Sequence, residues 1–385
     1  MKSLSFGVLL LLSLLVSAAI SFGITPLVKK MAYKVGAIDI PKDSRRMHNK
    51  PIPRLGGLAI AIAFLLTVML LADVDYQTQG ILLGAVTIVV LGVLDDCLTL
   101  RAWFKFLVQI FAAYIVVHHG CTIRYLSNPV FTSDTHYLDL GAWSVPVTIV
   151  WIVAITNAVN FIDGLDGLAV GVSAISAGTL LVIALLVAEG NVAIIMAALL
   201  GACLGFLPYN FNPAKIFMGD TGSTFLGFIL ASLSIQGMFK LYAIISFAVP
   251  FLILGVPIFD ICFAIIRRLA RHQNPMKADR GHIHHRLIDM GFSQKQAVAI
   301  TYMLTAILGL SAVVLTSSGE VRALILIGAI FVVGAIGFRL IFSRSAVEAP
   351  PAVSSETEQR ENGPLSAAPP DDSAESEESK EKAEC

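Results

Sequence analysis

The chain has 385 residues, 56% hydrophobic and 14% charged, with 27 basic and 27 acidic side chains and no formal net charge. That composition excludes an ordinary soluble globular protein and marks an integral membrane protein. The cysteines (Cys97, Cys121, Cys203, Cys262 and Cys385) are scattered without a CxxC pair, which excludes a disulfide framework and a cysteine zinc site.

A helix needs roughly 20 mostly apolar residues to span a bilayer. Such runs occur near 4–27, 55–72, 80–94, 106–119, 143–161, 167–188, 192–208, 221–237, 241–266, 297–316 and 323–342. They predict an all-α, polytopic membrane protein of about 11 transmembrane helices. The first run follows Lys2, and Ser17 and Ala19 mimic a signal-cleavage site. Its apolar stretch is too long for a typical signal segment, so a retained helix is expected. From residue 345 the chain turns rich in Glu, Asp, Ser, Pro and Ala and holds 11 of the 27 acids against three of the 27 bases. The expected division is therefore a transmembrane domain over 1–344 and a disordered acidic tail over 345–385.

Basic residues concentrate in two loops. Residues 28–54 contain Lys29, Lys30, Lys34, Lys42, Arg45, Arg46, Lys50 and Arg54, and residues 267–296 contain seven more. The positive-inside rule places both in the cytosol, with the N-terminus outside and the C-terminus inside. Threading the helices on that basis sends LGVLDDCLTLRAWFK, NFIDGLDG, LPYNFNPAKIFMGDTGS and the histidine-rich loop to the cytosolic face. The rule itself does not require the polar clusters to share a face.

Asp95 and Asp96 end the third run, where they face each other and the negative end of the helix dipole. Their ordinary reading is a pair of solvated loop acids helped by Arg101 and Lys105. Asp163 and Asp166 repeat the unfavourable placement with no cation nearby in sequence. Asp220, in MGDTGS, has the ordinary reading of a helix N-cap, a role open also to Thr221 and Ser223. Asn157 and Asn160 lie inside the end of an apolar helix, where an unpaired amide is costly. They bond a neighbouring helix, or Asn160 turns its oxygen to a cation. Oxygen donors from Asp and Asn suit Mg²⁺, which takes one or two carboxylates and keeps waters and substrate phosphates. One metal cannot employ five Asp, which leaves others as general base or hydroxyl acceptors.

Residues 267–296 carry His282, His284 and His285 beside Arg280 and Arg286. HxHH lacks the i, i+4 helical spacing of a zinc site. A positive-inside anchor explains the Lys and Arg but not three His within four positions. Imidazoles beside guanidinium groups suit phosphate oxygens and sugar hydroxyls.

The motifs RRMHNKPIPRLGG, LDDCLTLRAWFKFLVQ, NAVNFIDGLDGLA, YNFNPAKIFMGDTGS and GHIHHRL follow in this order between hydrophobic helices. In them the chain resembles the bacterial polyprenyl-phosphate N-acetylhexosamine-1-phosphate transferases, especially those that use UDP-GlcNAc and undecaprenyl phosphate. The resemblance covers roughly residues 1–340 and implies eleven helices, a cytosolic active site and the inner (plasma) membrane of a bacterium. It further implies Mg²⁺, with Mn²⁺ as the alternative ion, and transfer of a sugar phosphate from a UDP-sugar to the lipid phosphate with release of UMP. By motif, Asp220 and Asn160 would hold the metal, Asp95 with Asp96 would activate the lipid phosphate, and Lys105 would hold phosphate. Phe217, Asn210 and Asp166 would lie at the uracil, Asp163 would support the centre, and His282, His284, His285 and Arg286 would meet the diphosphate and sugar. The related pentapeptide-donor enzymes carry three consecutive His where this chain has HIHH, which argues against that donor. The implied partners are the UDP-sugar, the lipid phosphate and membrane lipids, with no nucleic acid, and assembly is left open between monomer and homodimer.

The expected chemistry is phosphoryl transfer, by direct attack of the lipid phosphate on the donor's β-phosphorus or through a phospho-Asp formed on Asp95 or Asp96. The reading from a different class is a secondary transporter. Transporters place ionisable residues near the bilayer midplane on broken helices in repeated halves. Here the acids sit at helix ends, and no repeat is visible.

Overall fold

Backbone in hydrocarbon has no water to bond, so long apolar runs close their hydrogen bonds internally as helices. The structure is a computed structural model that describes residues 5–40, 51–127, 137–238, 243–270, 282–318 and 328. Its helices are α1 (Phe6–Val35), α2 (Gly57–Leu71), α3 (Tyr76–Leu98), α4 (Ala102–His118), α5 (Ser144–Ile162), α6 (Leu168–Leu186), α7 (Gly190–Asn210), α8 (Gly219–Met238), α9 (Ala243–Ile253), α10 (Gly255–Ala270), α11 (Ile283–Asp289) and α12 (Gln294–Ser318). Six stretches, α1, α3, α5 with its preceding turn, α6, α7 and α12, are long and apolar enough to cross a membrane, and α2 and α4 are shorter apolar helices. The protein is an all-α membrane protein. The expected run at 323–342, the acidic tail, and the basic stretches 41–50 and 271–281 lie outside the described residues.

The packing is inverted relative to a soluble bundle. In α1 the buried side chains include Ser13, Ser17, Ser21 and Thr25, four residues apart, while Leu11, Leu15, Phe22 and Leu27 are exposed. Lipid solvates leucine well, so helices gain by presenting small residues to one another. Ser21 Oγ donates to the Ala202 carbonyl of α7 at 2.7 Å. The first run is thus built into the bundle.

At the centre lies α8, buried from Thr221 to Gln236. It comes against α2 backbone to backbone. A Cβ on Gly57 would stand 2.0 Å from the Gly222 nitrogen, and one on Gly92 of α3 would stand 2.3 Å from the Thr221 Cα. These contacts bring the ends of α2, α3 and α8 together.

Two features depart from the sequence expectation. The run at 241–266 is two helices interrupted at Leu254. Pro257 has no amide hydrogen for the carbonyl four residues back, and Gly255 is a weak helix former. Two short antiparallel ribbons were also not anticipated: β1 (Ile38–Asp39) with β2 (Ile52–Pro53), and β3 (Tyr125–Ser127) with β4 (Tyr137–Asp139). Strands of two or three residues carry no readable alternation. The segment after β2 is tied to the residues before α8, with Phe217 N–H donating to the Pro53 carbonyl at 2.8 Å and Gly56 N–H to the Phe217 carbonyl at 2.9 Å.

Gly57→Ala should destabilise the fold by about 3 kcal/mol or more, since the added methyl meets backbone that cannot rotate away. Gly23→Ala in α1, where nothing lies within 4 Å, should be neutral or slightly stabilising. Melting temperatures of the two variants in detergent check the contrast, and equal values would contradict the packing described.

Candidate active site

The acidic motifs converge at one end of the bundle. Asp96, in the last turn of α3, accepts from the Asp220 N–H at 3.0 Å, the Thr221 N–H at 3.0 Å and the Thr221 hydroxyl at 2.6 Å. These are unpaired donors at the start of a helix, and a carboxylate satisfies them while complementing the dipole. Gly219 makes the approach possible. It sits at φ +72°, and a Cβ there would stand 2.5 Å from Asp96 Oδ2.

Asp95 faces the other way. Its Oδ1 accepts the Leu100 N–H at 2.7 Å and its Oδ2 meets Lys105 Nζ at 2.8 Å. Lys105, from the first turns of α4, also contacts Asp220 Oδ2 at 2.8 Å, so one ammonium bridges two carboxylates. Asn160, near the end of α5, donates from Nδ2 to Asp220 Oδ1 at 3.2 Å and to Ser223 Oγ at 2.7 Å. Its neighbour Asn157 turns to Gln109 Oε1 at 2.6 Å and the Val153 carbonyl at 2.8 Å. Both amides therefore bridge to neighbouring helices, Asn157 to α4 and Asn160 to α8, and the Asn160 nitrogen does so at the acidic cluster.

A cavity of about 900 Å³ opens beside Asp220, lined among others by Arg54, Asp96, Asn160, Asp163, Asp166, Asn210, Phe217 and His285. Asp163 stands at the turn between α5 and α6. No hydrogen bond or ion pair reaches its carboxyl among the described residues. Burial, then the charges of Asp220, Asp96 and Asp166, push it up to about 8.

Asp166 and Asn210 are held differently. Asp166 Oδ2 accepts the Ala214 N–H and Asn212 Nδ2, both at 3.0 Å. Asn210 accepts the Gly167 N–H at 3.1 Å and donates to the Ile216 carbonyl at 3.0 Å. Both brace the loop between α7 and α8, and that bracing sets the position of Phe217. Both line the cavity with Phe217; Asn210 has its amide oxygen and nitrogen engaged, and the bonds of Asp166 among the described residues go to Oδ2.

The histidines do not share one environment. His285 lines the cavity, whereas His282 and His284 are buried with rings stacked at 5.8 Å. A Cβ on Gly164 would stand 2.3 Å from His284 Nε2, so the IDG turn admits this ring. Burial, then His285, hold His284 down to about 3, which keeps the imidazole neutral. The Arg286 guanidinium lies 4.6 Å from the centre of the Phe263 ring. Residues 283–289 form a short helix within the expected loop.

Several residues at this end escaped sequence reasoning. Asp260 of α10 accepts His282 Nδ1–H and the Ile283 N–H, both at 2.8 Å. A lone Asp in an apolar helix was the available signal. Gln294 Oε1 takes Asn212 Nδ2 at 2.7 Å, and Arg54 lines the cavity next to Asp96 and Asp220.

The donor set fits a hard divalent cation. Asp220 and Asn160 are in contact, and Asp163 brings to the same cavity a carboxyl with no ion-pair partner among the described residues. No three His, Cys, Asp or Glu converge at metal distance among the described residues. Mg²⁺ does not require that, since it binds through one or two carboxylates with waters and phosphates.

These features are those of a glycosyl transferase of the polytopic membrane type. The chain belongs to glycosyl transferase family 4, whose model matches residues 78–238, from α3 through α8. A probable undecaprenyl-phosphate N-acetylglucosaminyl 1-phosphate transferase of Bacillus subtilis (strain 168) is 46% identical over 299 residues, covering 77% of this chain and 82% of the relative. A decaprenyl-phosphate N-acetylglucosaminephosphotransferase of Mycobacterium tuberculosis (strain H37Rv) is 35% identical over 352 residues, 83% of this chain and 86% of its own. An undecaprenyl-phosphate alpha-N-acetylglucosaminyl 1-phosphate transferase of Escherichia coli (strain K12) is 29% identical over 287 residues, 73% and 77% of the two chains.

The adjacent acids should separate experimentally. Asp96→Ala leaves three donors at the start of α8 without their acceptor, and should lower stability by about 3 kcal/mol or more as well as activity. Asp95→Asn should lower activity with little change in stability. Thermal melting beside activity distinguishes them, and a stable Asp96→Ala protein would contradict the capping role.

Proposed function

We propose that the protein transfers GlcNAc-1-phosphate from UDP-GlcNAc to undecaprenyl phosphate, releases UMP, and so starts a lipid-linked cell-envelope polysaccharide. The observation that carries the reading is the bridge of Lys105 between Asp95 and Asp220 at 2.8 Å to each. With Asn160 and Asp163 it sets one ammonium and several oxygen donors beside a cavity large enough for a nucleotide sugar. The names of the relatives supply the polyprenyl phosphate and the N-acetylglucosamine.

Asp220 and Asn160 would hold Mg²⁺, with Mn²⁺ as the alternative ion. The bound ion supplies charge neutralisation on the diphosphate. Lys105 presents its ammonium to the lipid phosphate, and Asp95, its partner, orients it. An oxygen of the lipid phosphate then forms a bond to the donor's β-phosphorus while the bond from that phosphorus to the bridging oxygen breaks, and UMP leaves with the bridging oxygen. Asp96 is a positioning residue that fixes Asp220. Both oxygens of Asp95 and both of Asp96 already accept hydrogen bonds, which favours direct attack over a phospho-Asp intermediate. His285 at the cavity wall, braced by His282 and His284, meets the sugar or diphosphate. Asp166 and Asn210 place Phe217 at the base.

The test is UMP release by purified protein given UDP-GlcNAc, with and without undecaprenyl phosphate, repeated over a panel of UDP-sugars. Release should require the lipid, Mg²⁺ and the GlcNAc donor, and Asp220→Asn should lower the rate by about a hundredfold or more while the protein still folds. UMP release that ignores the lipid, or a near-normal rate for Asp220→Asn, would sink the reading.

In the same proposal the membrane is the bacterial inner membrane, crossed eleven times, with the site facing the cytosol. The basic stretches 28–54 and 267–296 support that orientation. A single cysteine placed at Ser44 or Gln273, in a background without the native cysteines, should resist an impermeant thiol reagent in intact cells and react after lysis. Labelling from outside would reverse the orientation.

A further inference from the structure

The cavity is rich in acids, yet one of its cations is not committed to any of them. Arg54 lines it together with Asp96, Gly219 and Asp220. Among the described residues its side chain makes one hydrogen bond, from Nη2 to the backbone carbonyl of Asp96 at 3.1 Å. Among the described residues no carboxylate lies within ion-pair distance of it, and its buried Nε–H meets no acceptor. A guanidinium carries five N–H donors, and a buried donor left unmet is costly. Lys105, by contrast, already serves two carboxylates.

The backbone holds Arg54 in place. Its N–H donates to the Ala37 carbonyl at 2.9 Å, and it forms a parallel bridge with Phe217. A Cβ on Gly219 would stand 2.8 Å from its carbonyl oxygen. The guanidinium is therefore bonded to the end of α3, and the Arg54 backbone lies against the start of α8, the two elements that carry Asp96 and Asp220. Such a fork, charged, fixed and short of acceptors, matches phosphate oxygens, to which arginine can bond in pairs.

We propose that Arg54 is a phosphate-binding residue of the reacting centre, taking phosphoryl oxygens held beside Asp220. This rests on the transferase reading and deepens it. Two sources share the chemistry, the β-phosphate of the donor and the phosphate of the acceptor lipid, and the experiment separates them.

The full-length protein in detergent with Mg²⁺ is titrated with UDP and with UMP, and the KM for polyprenyl phosphate is measured beside them. Wild type should bind UDP more tightly than UMP. If the site takes the donor, Arg54→Gln should reduce that preference by about ten- to a hundredfold, the worth of a charge-assisted hydrogen bond, while UMP binding stays unchanged. If it takes the acceptor, the preference should hold and the KM for the lipid phosphate should rise by a similar factor. Arg54→Lys, which keeps the charge without the fork, should lie between, and it serves in place of Arg54→Gln should the latter fail to fold. An unchanged preference together with an unchanged lipid KM overturns the proposal. Loss of UMP binding in parallel with UDP also overturns it, because Arg54 would then only support the fold. Wild-type protein that neither prefers UDP nor releases UMP would instead overturn the transferase reading.

Discussion

Asp96 closes the N-terminus of α8 from the end of α3, and the placement of the other polar groups depends on that contact. Where a helix begins inside protein and lipid, its first N–H groups find no water, and leaving them unmet is costly. One carboxylate meets the backbone donors of Asp220 and Thr221 and so joins two elements distant in sequence. Asp220 then stands within reach of Lys105 and Asn160. The backbone carbonyl of the same residue accepts from Arg54 Nη2 at the cavity. Adjacent acids that read alike in sequence are thereby divided, one facing the helix terminus and the other facing Lys105.

The balance of charge around the cavity follows from the crowding of its carboxylates. Carboxylates at such a place attract whatever cation the fold can supply, and Lys105 is shared between Asp95 and Asp220 for that reason. Asp163 has no such partner among the described residues and is pushed up to about 8, by burial first and then by Asp220, Asp96 and Asp166. The neutral ring of His284 and the Asp260 carboxylate on His282 form a braced wall behind His285 rather than a second charged cluster.

The close approach of helices that makes this possible relies on small residues. Gly57 and Gly222 let α2 and α8 meet at their backbones, and Gly92 does the same for α3 and α8. In lipid there is little to gain by burying leucine, so van der Waals fit between backbones takes its place. The outward leucines of α1 and the inward row from Ser13 to Thr25 express the same rule at the edge of the bundle.

Most helices were legible in the sequence, because length and apolarity alone determine what a bilayer accepts. The gathering of LDDC, NFIDG and MGDTG at one end was legible too, from threading the apolar runs between the two basic loops. What residues 78–238 share with glycosyl transferase family 4 was carried by those same motifs. The break at Leu254 was written in Pro257 and Gly255 but concealed by the surrounding hydrophobicity. Which Asp binds backbone and which meets Lys105, that Asn210 and Asp166 brace a loop, and that Asp260 and Arg54 belong to the site, were decided only by tertiary structure. Each depends on a hydrogen bond between residues far apart in the chain, such as the 124 positions between Asp96 and Asp220, and no local pattern encodes which acceptor a distant helix end will find.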